Sequence, residues 1–375
     1  MNDHATAEPI DGVVLAHDYL LVMRGAERAF AAIADLYPRA PIYTLLYDRE
    51  GTRARFDGHS VRTSFAQRFG IDQEHFRRFL PIYPTAIDRM RLPECRLVLS
   101  SSSAFAHGVR APADAVHVCY CYTPFRYAWY EQERALAEVP APLRPALKLA
   151  LARSRRWDLA ASRRVDSYVA ISELSRERIR RYLRRDSVVI HPPVETERFS
   201  IGPGGDALLV VGELVRHKRA HVALEAATLA GVPVRVVGDG PERAALEQEF
   251  PGAIFAGRLD DTQLAELYGR SRALVLASME EFGITAVEAQ AAGRPVIAAR
   301  AGGALETVIE GRTGLFAELD QPRDFARAIG ELETLSFDPR AAAENAARFS
   351  VAEFQRRLDA HVRAVLAGES GSAAP

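Results

Sequence analysis

The chain has 375 residues, 48 % hydrophobic and 26 % charged, which suits two domains of ordinary size and excludes wholesale disorder. No apolar run approaches the roughly 18 residues of a membrane span, the polar start lacks a signal-peptide layout, and Cys95, Cys119 and Cys121 form neither a CxxC pair nor a disulfide framework. Collagen, secreted miniprotein, channel and zinc finger are thereby excluded, a reducing cytoplasm is expected, and the net charge of −1 conceals an asymmetry: 30 Lys and Arg against 24 Asp and Glu in residues 1–200, then 18 against 25.

From the start, residues 13–16 read as a buried strand ending at His17 and Asp18, followed by a helical spacing over 26–36. Further strands are expected at 42–46, 97–100, 116–120 and 167–171, and Ser172 caps a helix over 173–183. No motif is placed between 53 and 93, where the pattern is less periodic. Residues 144–185 hold 13 basic residues against Asp158, Asp166, Glu173 and Glu177. That stretch reads either as a surface seeking anionic lipid or an acidic acceptor, or as a solvated helix face. No nucleic-acid recognition motif accompanies it, so nucleic acid is not an expected partner.

The densest Pro and Gly clusters, His191-Pro192-Pro193 and Gly202-Pro203-Gly204-Gly205, mark a boundary. The expected organisation is a first domain at 1–190, a linker at 191–206, a second domain at 207–348, a crossover helix at 349–367 and a tail at 368–375. In the second domain short β-branched runs at 207–211, 234–237, 253–256, 273–277 and 295–298 alternate with helical patterns at 220–230, 241–250, 262–268 and 284–292. Gly231 and Gly293 stand just past two of these helices. Residues 351–366 form a last amphipathic helix, expected to pack back on the first domain. The fold class is α/β: two doubly wound, Rossmann-like domains facing a cleft, with ligands at the carboxyl ends of the strands.

The chemistry concentrates at Glu280-Glu281-Phe282-Gly283-Ile284-Thr285-Ala286-Val287-Glu288, a loop after a strand followed by a helix. A helix amino terminus suits a phosphate, and Gly283 lets backbone approach closely. Glu280 and Glu288 then flank a diphosphate, each placed to accept hydrogen bonds from diols; the plainer alternative makes them loop and surface charges. Gly212 opens a turn that delivers Lys218 and Arg219 to the same sheet edge, a cation site for a leaving diphosphate. Lys218 is one of only two lysines, with Lys148, against 46 arginines, so its retention invites a functional reason. Gly238 ends the next strand in a tight turn. Neither turn carries the dinucleotide fingerprint, and no phosphate loop with Gly-Lys-Ser/Thr is present.

These residues bring a resemblance into view. Glu280 to Glu288, the run Ala289-Gln290-Ala291-Ala292-Gly293-Arg294-Pro295, then Gly302-Gly303-Ala304-Leu305-Glu306 and Gly311-Arg312-Thr313-Gly314 resemble family 4 of the retaining, GT-B-fold glycosyltransferases. His17-Asp18-Tyr19, Met23-Arg24-Gly25, Ser100-Ser101-Ser102 and residues 119–129 resemble a branch of surface-polysaccharide mannosyl- or rhamnosyltransferases. The resemblance implies that Glu280 holds hexose hydroxyls, Glu288 the ribose and Lys218 the diphosphate. The backbone of Phe282, Gly283 and Ile284 would cradle phosphates, backbone near Arg258 would meet the base, and Gly25 would let a loop approach the donor. It further implies transfer with retention from a nucleotide-diphosphate sugar, GDP-mannose by the branch, to a glycan or polyprenyl-linked hydroxyl. The leaving phosphate takes the acceptor proton, with neither cofactor nor metal.

Three positions depart from the pattern: Glu213 stands where the family commonly has Arg, Tyr122 where the branch has His near the sugar, and Ala26 where a second glycine is frequent. Tyr122 is retained as a catalytic candidate, with His17, Asp18 and Arg126 on the acceptor side; Arg126 reads equally as a salt-bridge partner. Cys119 and Cys121 read as buried small hydrophobes. The expected location is cytoplasmic, in contact with the inner membrane face if residues 144–185 touch lipid. The rival readings are an epimerase or phosphorylase on the same fold, and a non-catalytic sugar-nucleotide binder.

Overall fold

The computed structural model describes residues 10–73, 75–334 and 336–368; the expected tail lies outside them but for Gly368. The chain divides into two compact units, residues 1–190 with 355–375, and residues 191–354.

The first unit is built on seven parallel strands: β1 (Val13–Leu20), β2 (Ile42–Tyr47), β3 (Val61–Thr63), β4 (Leu97–Ser102), β5 (Val116–Cys121), β6 (Ser167–Ala170) and β7 (Ser187–Val189). Their order is β3-β2-β1-β4-β5-β6-β7. β1, β4 and β5 are buried along nearly their whole length because helices cover both faces, which is why they read as continuous apolar runs. β1 runs past its expected end through His17 and Asp18, pairing His17 with Ser101 of β4. Two polar residues inside a buried strand are tolerated because β4 and the loop after it satisfy them.

The stretch 53–93 holds edge strand β3, two 3₁₀ turns at Phe65–Phe69 and Phe76–Ile82, and the short helix Tyr83–Asp88. None is long enough to show a 3.6-residue period. Within 144–185 the helix Arg144–Ser162 turns Leu151, Ser154, Asp158 and Ala161 inward. Buried Asp158 stands 2.7 Å from His107 Nε2 and accepts from Trp129 Nε1 at 2.5 Å. Ser172 caps the next helix by accepting from the Ser175 amide, and that helix closes in a π turn, Ile179–Leu183. Cys119 and Cys121 are buried against Val165, Tyr168, Ile179 and Leu183.

The second unit carries six parallel strands: β8 (Leu208–Val211), β9 (Val234–Val237), β10 (Ile254–Gly257), β11 (Leu274–Leu276), β12 (Val296–Ala299) and β13 (Gly314–Ala317), ordered β10-β9-β8-β11-β12-β13. The helix Ala220–Ala230 ends at Gly231, whose φ of +66° is the left-handed conformation of a helix stop. β13 has no place among the expected strands. It is four residues long and opens with a glycine, which a Cβ 2.1 Å from the Val296 carbonyl oxygen would forbid. The last helix, Val351–Leu366, joins the first unit from Gln355 on: Gln355 Nε2 donates to the Ala32 carbonyl at 2.9 Å, and His361 meets Ser167 Oγ at 2.9 Å.

The first unit's buried histidines set a pH dependence. Burial lowers His17 to about 4 and His117 to about 3, and lowers His361 as well. Burial raises Glu27 to about 7. Burial also acts downward on His107, but the Asp158 carboxylate outweighs it and the shift is upward, so His107 is protonated in both states below 6.5. Between the ordinary values of 4.5 and 6.5, unfolded His17 and His117 take protons that the folded ones refuse, while folded Glu27 keeps one that the unfolded chain has released. With His361 a further lowered group, the unfolded state is at least about one proton richer, and stability should fall by at least about 1.4 kcal/mol per unit as pH is lowered through this window. Urea titrations across it measure the slope, and a rise on acidification would contradict the assignment.

Candidate active site

In the second unit the strand order reverses between β8 and β11, so two loops leave adjacent carboxyl ends, the place where open α/β sheets bind ligands. The loop after β8 closes in a 3₁₀ turn, Arg216–Lys218, and the loop after β11 carries Ser278 and Glu280. Lys218 Nζ donates to Glu280 Oε2 at 2.5 Å, and Ser278 Oγ donates to Glu280 Oε1 at 2.5 Å. The Glu280 side chain is 15 % exposed and that of Lys218 33 %. The carboxylate is thus fixed from both sides, and the Lys218 side chain stays partly exposed, its ammonium having three N–H donors.

Gly283 caps the helix Ile284–Ala291 at φ +89°, and a Cβ there would stand 3.3 Å from Leu276 Cδ2. The left-handed conformation favours glycine, and just beyond it the Ala286 amide turns back to the Gly283 carbonyl at 3.0 Å, leaving the amides of Ile284 and Thr285 at the start of the helix. Glu288 lies one turn further on, half-buried, accepting at 2.8 Å from the hydroxyl of Tyr268. Burial and that carboxylate push the Tyr268 phenol well above its ordinary range, so it remains a donor. Glu280 and Glu288 therefore each have a separate anchor.

The loop rests on residues to which sequence reading gave no role. The Gly303 amide donates to the Glu280 carbonyl at 2.9 Å. A Cβ on Gly302 would stand 2.3 Å from that same carbonyl oxygen, and one on Gly303 would stand 2.3 Å from Phe282 Cα. The Gly-Gly pair is a floor that no side chain could occupy. Beside it His191 Nε2 meets Glu306 Oε2 at 2.9 Å, and the His191 ring packs 5.6 Å from Phe282 and 5.2 Å from Phe349. His191 begins the expected linker, and its place here shows that segment supporting the loop. Replacing His191 by Ala should weaken ligand binding at the Glu280 loop about tenfold, with Glu306→Ala equivalent and the double variant no worse. Titration of all three checks this; additive losses would separate the two residues.

The remaining donor-side candidates are divided. Gly238, at φ +135°, has its Cα against the Gly212 carbonyl, where a Cβ would fall 1.8 Å away, so the sheet edge itself demands it. A Cβ at Gly212 would meet nothing within 4 Å, leaving open space over that turn. Arg219 is held by both carboxylate oxygens of Asp320. It is therefore engaged apart from the Lys218–Glu280 pair. Arg258 is exposed just past β10, and Glu213 is exposed.

The first unit has its own reversal, between β1 and β4. Asp18 is 2 % exposed and accepts five hydrogen bonds, from the amides of Ser103, Ala104, Phe105 and Ala106 and from Ser103 Oγ, at 2.5–3.1 Å. Expected on the acceptor side, it holds the loop after β4. Tyr122, expected to be catalytic, is buried; its hydroxyl donates to the Ala26 carbonyl at 2.8 Å and accepts from Ser101 Oγ at 3.0 Å. Burial pushes the phenol far up, so it stays protonated near neutral pH. It clamps the helix Gly25–Leu36, which Gly25 opens, to β4. With the Ser101 proton given to Tyr122, Ser101 Oγ accepts from His17 Nδ1 at 3.1 Å, and His17 stacks on Phe30 at 4.5 Å. The relay fixes the Nδ1–H tautomer of a neutral His17. Glu27, raised by burial in the first turn of that helix, is a titrating group that sequence reading passed over. Arg126 lies 3.8 Å from Glu131.

Residues 194–349 match the family described as Glycosyl transferases group 1. The glycogen synthase of Mycobacterium tuberculosis is 34 % identical over 166 residues, 41 % of this chain and 39 % of that protein. The GDP-mannose-dependent alpha-mannosyltransferase of the same organism is 27 % identical over 301 residues, 80 % of this chain and 69 % of that protein. The match spans 39 % of the length of the first of these curated relatives, well short of the whole. Among solved structures, Anabaena Alr3699/HepE in complex with UDP-glucose superposes with a TM-score of 0.68 at 18 % identity, covering 94 % of this chain and 100 % of that one. Among the described residues no helix is long and apolar enough to cross a membrane. The chain thus has the GT-B fold, and its segment 194–349 is similar to the group 1 glycosyl transferases.

Proposed function

We propose that the chain is a retaining hexosyltransferase that moves a sugar from a nucleotide diphosphate to an acceptor hydroxyl on a glycan or lipid-linked glycan. The observation that carries the reading is the Lys218–Glu280–Ser278 arrangement beside the glycine-capped helix Ile284–Ala291. A diphosphate set on the first-turn N–H groups receives Lys218 Nζ as its cation. Glu280, a fixed acceptor, takes hydrogen bonds from hexose hydroxyls, and Glu288, anchored by Tyr268, takes them from the ribose. As the anomeric C–O bond to the diphosphate breaks, negative charge grows where Lys218 and the helix terminus already point. The departing phosphate oxygen accepts the acceptor's proton as the new glycosidic bond forms on the same face.

For the donor, the mannosyltransferase relative favours GDP-mannose and the UDP-glucose complex of the structural neighbour favours a uridine sugar. The branch resemblance inclines the reading to GDP-mannose. A thermal-shift screen of UDP-, GDP- and dTDP-sugars tests the reading without knowledge of the acceptor. One class at about 100 times its Kd should add roughly 2.7 kcal/mol of stability. No stabilisation by any class would remove the assignment, and conversion of the sugar nucleotide without acceptor would favour an epimerase.

A further inference from the structure

Among the described residues five other than glycine have a positive φ: Arg53, Ala54, Arg184, Arg219 and Asp320. The last two are bound to each other. Arg219, at φ +52°, follows the 3₁₀ turn Arg216–Lys218 and caps the helix Ala220–Ala230. Asp320, at φ +60°, lies between β13 and the helix Pro322–Glu331. Arg219 Nε donates to Asp320 Oδ1 and Nη2 donates to Oδ2, the second at 3.0 Å, so the two planar groups meet in a fork. Aspartate visits the left-handed region fairly readily, whereas a long side chain such as arginine rarely does.

In the sheet β8 and β13 are separated by β11 and β12, so no strand pairing joins the loops that follow them. The helices Ala220–Ala230 and Pro322–Glu331 pack on each other, and the ion pair ties their entrances together. The first of these helices is fixed by burial of Ala220, Val222, Ala223 and Leu224. Upstream, the Lys218 amide donates to the Val215 carbonyl at 2.8 Å and the Arg219 amide to that of Arg216 at 3.1 Å. Residue 219 is the joint between these two fixed pieces. Were its φ to turn negative, the chain would leave the turn in another direction and Lys218 would move with it. The Arg219 side chain is 26 % exposed and that of Asp320 53 %. So exposed a pair adds little to global stability, and its effect is local to the turn.

We propose that Asp320 is a positioning residue for Lys218. Holding the Arg219 guanidinium by both oxygens, it keeps residue 219 in the left-handed conformation, and that conformation keeps Lys218 Nζ on Glu280 Oε2. Arg219 then serves as a strut and not as a cation for the diphosphate. What Lys218 does for a donor rests on the function proposed above. The placement of Lys218 does not, and it is measurable with no donor present, so the two can fail separately.

The chain's two lysines make the test direct. In the full chain, isotope-labelled at lysine Cε, only Lys148 and Lys218 give NMR signals, and Lys148→Arg assigns them. Asp320→Gly suits the backbone at 320 but removes the carboxylate, and should shift the Lys218 signal toward that of exposed Lys148. Arg219→Ala should shift it in the same way. Arg219→Gly makes the same change of charge yet tolerates a positive φ, and should leave the signal near its original position. Added salt should move the signal of the unaltered chain toward the Asp320→Gly position. Melting temperatures of the variants serve as the folding control. With whichever sugar nucleotide stabilises the chain, Asp320→Gly should weaken binding about tenfold. Tighter binding in that variant would make Arg219 a donor ligand that Asp320 restrains, and would overturn the proposal. A Lys218 signal unmoved by Asp320→Gly and Arg219→Ala overturns it too. So does one that Arg219→Gly moves as far as Arg219→Ala, since the guanidinium charge would then be the cause.

Discussion

Substitution of Glu280 by Gln should reduce sugar transfer by about a hundredfold or more, and Lys218→Ala by about a thousandfold, the usual scale for removing a group aimed at developing charge. The two losses should not add, because the side chains share one hydrogen bond. Lys218→Ala also strips the counter-ion from a carboxylate whose side chain is only 15 % exposed. Part of its effect would therefore pass through a displaced Glu280. The double variant Lys218→Ala, Glu280→Gln separates the contributions: if Lys218 acts only by holding Glu280, the double variant transfers no more slowly than Glu280→Gln alone. Lys218→Arg is the more telling replacement. The chain uses arginine for nearly every other cation, yet a planar guanidinium cannot reproduce a single 2.5 Å contact from a compact ammonium. Donor affinity should survive it better than turnover. Wild-type rates in Glu280→Gln and Lys218→Ala would remove both roles.

The Glu280-to-Ile284 segment was legible because its parts are local. A strand, a loop with Glu280, a glycine and a helix follow one another within about a dozen residues, and each leaves its own mark: β-branched residues, then Gly283 where φ is positive, then apolar spacing. The second sheet was readable for the same reason, apart from β13, whose four residues resemble any loop. What sequence reading missed is what long-range packing decides. Tyr268 anchors Glu288 from 20 positions away, and Glu306 meets His191 across 115. Gly302 and Gly303 support the loop through steric exclusion, which leaves no pattern beyond the glycines themselves. Tyr122 stands out in the sequence because the branch that the chain resembles has His there, and Asp18 because it follows His17 at the end of the first apolar run. In the fold their polar atoms are engaged by backbone groups of residues 26 and 103–106.

Asp18 makes the sharpest distinction between a ligand contact and a fold-holding residue. Four successive amides, Ser103 to Ala106, converge on its two oxygens, two on each, and together form a nest that would bind an anion if the chain did not supply one. In Asp18→Asn one oxygen becomes an NH₂ and faces two N–H donors, so at least two buried amides lose their acceptor and the remaining bonds lose charge assistance. Hydrogen bonds to a charged group contribute about 1.5–3 kcal/mol each, and an orphaned buried donor costs about 1–3 kcal/mol. A loss of roughly 3–5 kcal/mol is therefore expected for Asp18→Asn, and no less for Asp18→Ala, which abandons all four amides. For a unit of this size that lowers the melting temperature by about 10 °C. Asp18→Glu should not restore it, because the site is 2 % exposed and has no room for another methylene. A residue that bound the acceptor would behave oppositely, with an unchanged melt and a raised acceptor KM. Thermal unfolding of the three variants beside their acceptor kinetics decides between these outcomes, and an unshifted melt in Asp18→Asn would return Asp18 to the ligand side.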